Sequence, residues 1–401
     1  MHHFDPSKEI QDHLVFGEYG GVNPSITDSS TYTFLSPEKM KELFVHEIEG
    51  CFLYSRHWNP TNKNLADVLA RLEDSEAAIV TSSGMSAISS TILQICNTGD
   101  EVISSRTIYG GTYALFKNFL PKLGINVKFV DILNLEAVRT SITDKTKIIY
   151  CESVSNPLLE VADIPKLSEI ANVNSLKLMV DNTFSPIFLT PLHLGAHIVI
   201  HSLTKFINGT SDCVAGCVCS TQEFIADLMD INSGAAMLLG PVLDSYRAAS
   251  ILKNLHTLHI RIKKHSENAL FLAKELKKLG CKVFYPGLPN HNGYHLMNEL
   301  MNEGFGYGGM LAVDAGDIET ADRFMVKMQD EKVGYLAVSL GYFKTLFSSP
   351  GQSTSSEIPE EEQRTMGLSE GLVRISIGLD NDMAETFKRI KKCLNEVGLC
   401  K

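Results

Sequence analysis

The stretch His201-Ser202-Leu203-Thr204-Lys205-Phe206 directly follows the apolar run His197-Ile198-Val199-Ile200, with Asn208-Gly209 forming a turn beyond it. A lysine placed this way sits at a strand end and faces a cleft. There it gives up its charge more readily than a solvated lysine, as an amine nucleophile that forms a Schiff base requires. Taken alone, Lys205 is better read as one surface lysine among many, so its companions decide.

Asp181 closes the run Leu176-Lys177-Leu178-Met179-Val180 about one βα unit upstream. A carboxylate at a buried strand end suits a protonated ring nitrogen, though Asp181-Asn182-Thr183 reads equally well as a strand-terminating turn. Ser82-Ser83-Gly84-Met85-Ser86 opens a helical stretch whose free N–H groups suit a phosphate, the plainer reading being N-capping by serine. Tyr109-Gly110-Gly111-Thr112 follows the strand Glu101–Ser105 and a short polar link, so its phenol falls at the strand ends where open α/β sheets bind ligands.

The elements that must position these groups are legible as alternating runs. Strands are expected at EVISS, INVKFVD, KIIYCES, LKLMVDN and HIVIHS, with helices at TYALFKNFLPKL and IPKLSEIANV between them. Strands this apolar are buried on both faces, so the pattern predicts an α/β domain with a large, mostly parallel sheet over residues 51–243. Beyond it, a long helical stretch to Leu279 and the runs CKVFYPG, GMLAVDA, LAVSLG and GLVRISIG predict a smaller α+β domain over 244–401. It closes with a helix under an Asp cap, where Met383, Phe387, Ile390, Cys393, Leu394 and Val397 share one face. Residues 1–50 show little periodicity and read as an arm ordered against a partner subunit. The segment from Ser348 to Gln363 reads as a loop.

Composition narrows the function. The 401 residues carry 36 Lys and Arg against 47 Asp and Glu, a net charge of −11 with no basic block, which argues against a nucleic-acid partner. No leader-like start and no long apolar run stand out, which predicts a cytoplasmic protein without a membrane partner. Nine scattered cysteines fit reduced thiols. Cys213, Cys217 and Cys219 cluster, but their small apolar neighbours favour a buried strand over a zinc site, and the 13 histidines show no ligand spacing, so no metal is expected. The glycines of EGFGYGGML make no dinucleotide fingerprint and read as a turn into the next strand.

Seven motifs in order, YSRHWNPT from Tyr54, SSGMSAI from Ser82, YGGT from Tyr109, ESVSNP from Glu152, VDNTF from Val180, HSLTKFINGTSD from His201 and GLVRISIG from Gly371, resemble the Cys/Met-metabolism family of fold-type-I enzymes that use pyridoxal 5′-phosphate. The resemblance covers about Phe52 to Gly378. It implies that Lys205 holds the cofactor as a Schiff base, Asp181 pairs with its ring nitrogen and Tyr109 stacks on its ring. The Gly84 and Met85 amides and the Ser202 and Thr204 hydroxyls would take the phosphate. Tyr54 and Arg56 would reach it from a neighbouring subunit, so at least a dimer is implied, and a homotetramer of catalytic dimers fits the family. Arg374 would receive the substrate carboxylate, with Asn156 and Ser339 nearby.

The family contains methionine γ-lyases, cystathionine lyases and synthases, and sulfhydrylases. Val338 stands where cystathionine lyases carry Glu, and an apolar side chain there tolerates a thioether methyl but offers nothing to a second ammonium. MLLGPVLDSY and LGYFKTL resemble the plant-type methionine γ-lyases. The expectation is therefore α,γ-elimination of methionine, and of homocysteine, to methanethiol, 2-oxobutyrate and ammonia, with Lys205 moving the α-proton. Tyr109 would be the general acid, provided nearby positive charge lowers its pKa. Two departures bear on substrate range. Gly111 replaces the Cys of many bacterial members, and Asn232-Ser233 replaces their Lys-Asp pair. The rivals are cystathionine γ-lyase, an O-acetylhomoserine sulfhydrylase, and a catalytically silent regulatory protein on the same fold, which the intact Lys205, Asp181, Tyr109 and Arg374 argue against.

Overall fold

A computed structural model describes residues 4–44, 48, 50–353, 355–356 and 358–399. Seven strands make the large sheet: β1 Ala77–Thr81, β2 Glu101–Ser105, β3 Asn126–Val130, β4 Thr146–Glu152, β5 Lys177–Asp181, β6 Ile198–Ser202 and β7 Gly216–Ser220. Their order across the sheet is β1-β7-β6-β5-β4-β2-β3, and β7 alone runs antiparallel to its neighbours. The apolar runs were read as doubly buried strands, and the packing shows the reason. Val102, Ile148, Met179, Ile198 and Val218 face one core, whereas Ile103, Ile149, Leu178, Val199 and Cys217 face the other. A one-residue slip would exchange the two sets, so register is pinned from both sides.

Five further strands, β8 Lys282–Phe284, β9 Met310–Asp314, β10 Gly334–Leu336, β11 Thr345–Ser348 and β12 Leu372–Ser376, form a second sheet in the order β10-β11-β12-β9-β8. It is antiparallel except for the β10–β11 pair. It packs a third core against the helices Leu258–Lys278, Ile318–Asp330 and Met383–Val397. The last of these is capped by Asp382, whose side chain accepts from the Glu385 N–H, as the sequence pattern required. Among the described residues no helix is long and apolar enough to cross a membrane.

Three expectations need correction. The run LAVSLG is not a strand beyond Leu336; residues 337–341 form a loop, with Val338 exposed and Leu340 buried. The stretch expected as one helix at Thr112–Leu123 is broken into an α-turn, a wider π-turn and a 3-10 turn, because Pro121 removes a backbone donor and Gly124 ends the run with a left-handed φ of 77°. Residues 1–50 contain the helices Pro6–Asp12 and Pro37–Leu43, capped by Asp5 and Ser36. Seven described cysteines are free thiols, but Cys281 is disulfide-bonded; a scattered count carried no information about which sulfurs the fold brings within bonding reach.

Cys217 and Cys219 are fully buried on β7, as read. Positive φ at Gly304, Gly306 and Gly308 turns the chain into β9, also as read. The loop expected from Ser348 to Gln363 ends in a short helix, Glu360–Thr365.

Candidate active site

The C-terminal ends of β4, β5 and β6 deliver Glu152, Asp181 and Ser202 to one edge of the large sheet, and Lys205 follows in the turn after β6. Ligand crevices of open parallel sheets lie at this edge. A cavity of about 250 Å³ opens there. Gly84, Met85, Tyr109, Asn156, Asp181, Ser202, Thr204, Lys205, Val338 and Arg374 all line it, so the chain brings together ten of the residues singled out from sequence.

The Gly84–Ile95 helix starts in a reciprocal cap. Ser83 Oγ accepts from the Ser86 N–H, and Ser86 Oγ accepts from the Ser83 N–H, each at 3.0 Å. The Gly84 and Met85 amides, the first two of the helix, have no intrahelical acceptor, and both residues line the cavity. Glycine is required at 84, because a Cβ there would stand 2.8 Å from Ser202 Cβ. The Ser202 N–H donates to Thr183 Oγ1 at 2.8 Å, and the Thr204 hydroxyl ties to the Ala215 backbone, which holds both hydroxyl-bearing residues in place.

Asp181 keeps both its readings. Its Oδ1 accepts from the Thr183 N–H at 3.0 Å, which is the turn, and its Oδ2 accepts from the Tyr150 hydroxyl at 3.4 Å. Burial raises its pKa, so the carboxylate is poorly compensated by the protein alone and suits a cationic partner from within the cavity. Lys205 Nζ donates to Ser339 Oγ at 3.2 Å, and burial together with the Arg374 charge lowers the amine to about 8. Ser339, expected near Arg374, thus accepts from the lysine.

Arg374 comes from β12 of the second sheet and is only 2% exposed. It donates to Asn156 Oδ1 at 3.0 Å and to Ser348 Oγ at 3.4 Å. Among the described residues no carboxylate lies within ion-pairing distance of it, so the guanidinium is held by neutral oxygens and remains available to an incoming carboxylate. Tyr109, 42% exposed, lies within electrostatic reach of this charge. The neighbouring glycine leaves the phenol its present place. A Cβ at Gly111 would stand 2.5 Å from Tyr109 Cε1, so any side chain there displaces the phenol ring.

Tyr54 and Arg56 do not line the cavity of their own chain. Arg56 donates to the Met237 carbonyl at 3.0 Å, and its guanidinium lies 5.8 Å from the Tyr54 ring centre. Asn232 and Ser233 form a turn on Asp230 and are likewise absent from the cavity wall. Sequence reasoning quoted Glu152 only as part of a motif and missed its role in the wall. Its sole signal was an acidic residue closing an apolar strand. Thr183 and Ser348 carried no signal beyond being polar residues at strand ends.

A cavity with a low-pKa lysine, a burial-raised carboxylate and a helix start with two free amides fits pyridoxal phosphate at its aldehyde, ring nitrogen and phosphate. Fold and site together define a fold-type-I pyridoxal-phosphate enzyme. Residues 10–394 match the family described as Cys/Met metabolism PLP-dependent enzymes, and the chain belongs to that family. It is 43% identical to the methionine gamma-lyase of Arabidopsis thaliana over 94% of this chain and 87% of that one. It is 34% identical to the cystathionine gamma-lyase of Dictyostelium discoideum over 91% and 95%. A Campylobacter jejuni structure that carries N′-pyridoxyl-lysine-5′-monophosphate superposes with a TM-score of 0.90 at 28% identity, covering 98% of this chain and 100% of that one.

Proposed function

We propose that the protein is a methionine γ-lyase that converts L-methionine, and homocysteine, to 2-oxobutyrate, ammonia and the corresponding thiol or sulfide. The observation that carries this reading is the apolar part of the cavity wall. There Val338 and Leu340 present hydrocarbon where a substrate with a distal ammonium needs a carboxylate. The 43% identity to a methionine gamma-lyase supports the same choice.

In this reading Arg374 takes the substrate carboxylate as a bidentate pair, and that contact fixes the α-carbon above Lys205. Bound pyridoxal phosphate supplies an electrophilic aldehyde and a ring that withdraws electrons from the α-carbon. Lys205, with its amine lowered to about 8, is neutral in a useful fraction near physiological pH and accepts the α-proton. Asp181 would be the anionic partner for the ring nitrogen of the bound cofactor. The Tyr109 phenol, beside Arg374, gives a proton to the departing sulfur. Gly84, Met85, Ser202 and Thr204 hold the phosphate end. Tyr54 and Arg56 serve a neighbouring subunit's site, within an assembly of catalytic dimers.

The test is to supply L-methionine to the pyridoxal-phosphate-loaded protein and quantify 2-oxobutyrate and methanethiol, with Lys205→Ala as control. Equal amounts of both products, absent in the control, are expected. A loaded protein that is inert towards methionine but releases cysteine from cystathionine would move the reaction to cystathionine γ-lyase. Formation of a replacement product from an activated homoserine ester and sulfide would move it to a sulfhydrylase.

A further inference from the structure

Glu152 closes β4 at the wall of the cavity, and its carboxylate is divided between two loops. One oxygen, Oε1, accepts the backbone N–H of Tyr109 at 2.7 Å. The other, Oε2, accepts the backbone N–H of Asn156 at 2.7 Å. Tyr109 carries the phenol, and Asn156 Oδ1 receives Arg374 at 3.0 Å. The same carboxylate thus stands between the group assigned to the leaving sulfur and the group assigned to the substrate carboxylate. It is 7% exposed, so solvent does not compete for its lone pairs.

We propose that Glu152 is a positioning residue that fixes the separation of the Tyr109 phenol from the Arg374 guanidinium by holding the two loops with one oxygen each. The assignment rests on the roles proposed above for Tyr109 and Arg374. Bonds of this length are directional, and the buried Asn156 N–H in particular has its acceptor in this carboxyl group. Burial and the adjacent Asp181 push the Glu152 pKa up to about 8, while the two N–H bonds and Arg374 pull it down. Because the substrate spans the two loops, an error in their spacing costs both binding of the carboxylate and delivery of the proton.

The experiment uses the pyridoxal-phosphate-loaded enzyme and two readouts. One is the Kd for glycine, which has a carboxylate but no leaving group, taken from the visible absorbance. The other is kcat for α,γ-elimination. Glu152→Leu, which removes both acceptors, is expected to raise the glycine Kd and lower kcat by about tenfold or more each. Asn156→Ala, which cuts only the Arg374 link, should raise the Kd by a larger factor than it lowers kcat. A loaded Glu152→Leu enzyme that changes neither quantity, or only one, overturns the proposal. If Glu152→Leu does not fold, Glu152→Gln keeps one acceptor and must shift at least one readout by about fivefold; no shift overturns the proposal. Arg374→Lys and Tyr109→Phe separate the two levels. If they leave the Kd and kcat unchanged, the underlying roles fail; if they act and Glu152→Leu does not, only the positioning role fails.

Discussion

Val338→Glu is the substitution that most directly tests the substrate reading. Val338 is 60% exposed at the rim of the cavity, so an introduced carboxylate there would be largely hydrated. Two unit charges about 4 Å apart attract by roughly 1–4 kcal/mol between water and a protein surface. For a pair this exposed, measured values shrink to about 0.5–1 kcal/mol. Cystathionine should therefore gain about two- to fivefold in kcat/KM. Methionine loses contact between its S-methyl and the valine, worth about 0.8 kcal/mol or roughly fourfold. The ratio of the two specificity constants then moves by about ten- to twentyfold, the product of these factors. The assay is kcat/KM for both substrates in the wild type and the variant, at low and high salt. The cystathionine gain should fade at high salt, because an exposed pair is screened. An unchanged ratio, or a gain indifferent to salt, would refute the claim that this rim reads the far end of the substrate.

Attachment of pyridoxal phosphate to the apoprotein needs the neutral amine of Lys205, whose pKa is lowered to about 8. Its rate, followed by stopped-flow absorbance, should climb about tenfold per pH unit and flatten above roughly pH 8; a climb continuing towards 10.4, the value of a solvated lysine, would contradict the burial argument. Gly111→Ala places a methyl 2.5 Å from Tyr109 Cε1 and should lower kcat by about tenfold while moving Tm little, since the displaced ring is partly exposed; a variant with normal kcat would show the ring is not needed where it lies. If Arg56 serves a neighbouring site, Lys205→Ala and Arg56→Ala chains, each inactive, should recover about a quarter of wild-type activity when co-assembled in equal amounts, and no recovery would place both residues in one site.

The large sheet was readable because its strands are buried on both faces, and continuous apolar runs such as Ile148–Cys151 have few other places in a fold. The same rule misled at LAVSLG. Val338 is exposed towards a cavity and Ser339 is tied to Lys205, so its apolar character serves the site rather than a ladder. The strand Thr345–Ser348 is four residues long and gives period-two alternation nothing to act on. The helix Pro6–Asp12 carried a legible start, Asp5-Pro6, but little apolar periodicity to draw attention to it. In the site, Lys205, Asp181, Tyr109 and Arg374 were found because their motifs are ordered along the chain. Glu152 was not found, because its partners are backbone amides, which leave no trace in residue identity.

The close contacts at the start of the Gly84–Ile95 helix have a consequence for how this scaffold changes its chemistry. A Cβ at Gly216 would stand 2.3 Å from the Ser83 carbonyl oxygen, and one at Gly84 would strike Ser202. That end of the cavity is clamped backbone against backbone and tolerates almost no variation. At the lip, Val338 lines the cavity, is 60% exposed and meets no such obstacle. A single anchorage can thus stay constant while the lip is exchanged, so new reactions on this scaffold should arise by editing one edge of the cavity and leaving the other untouched.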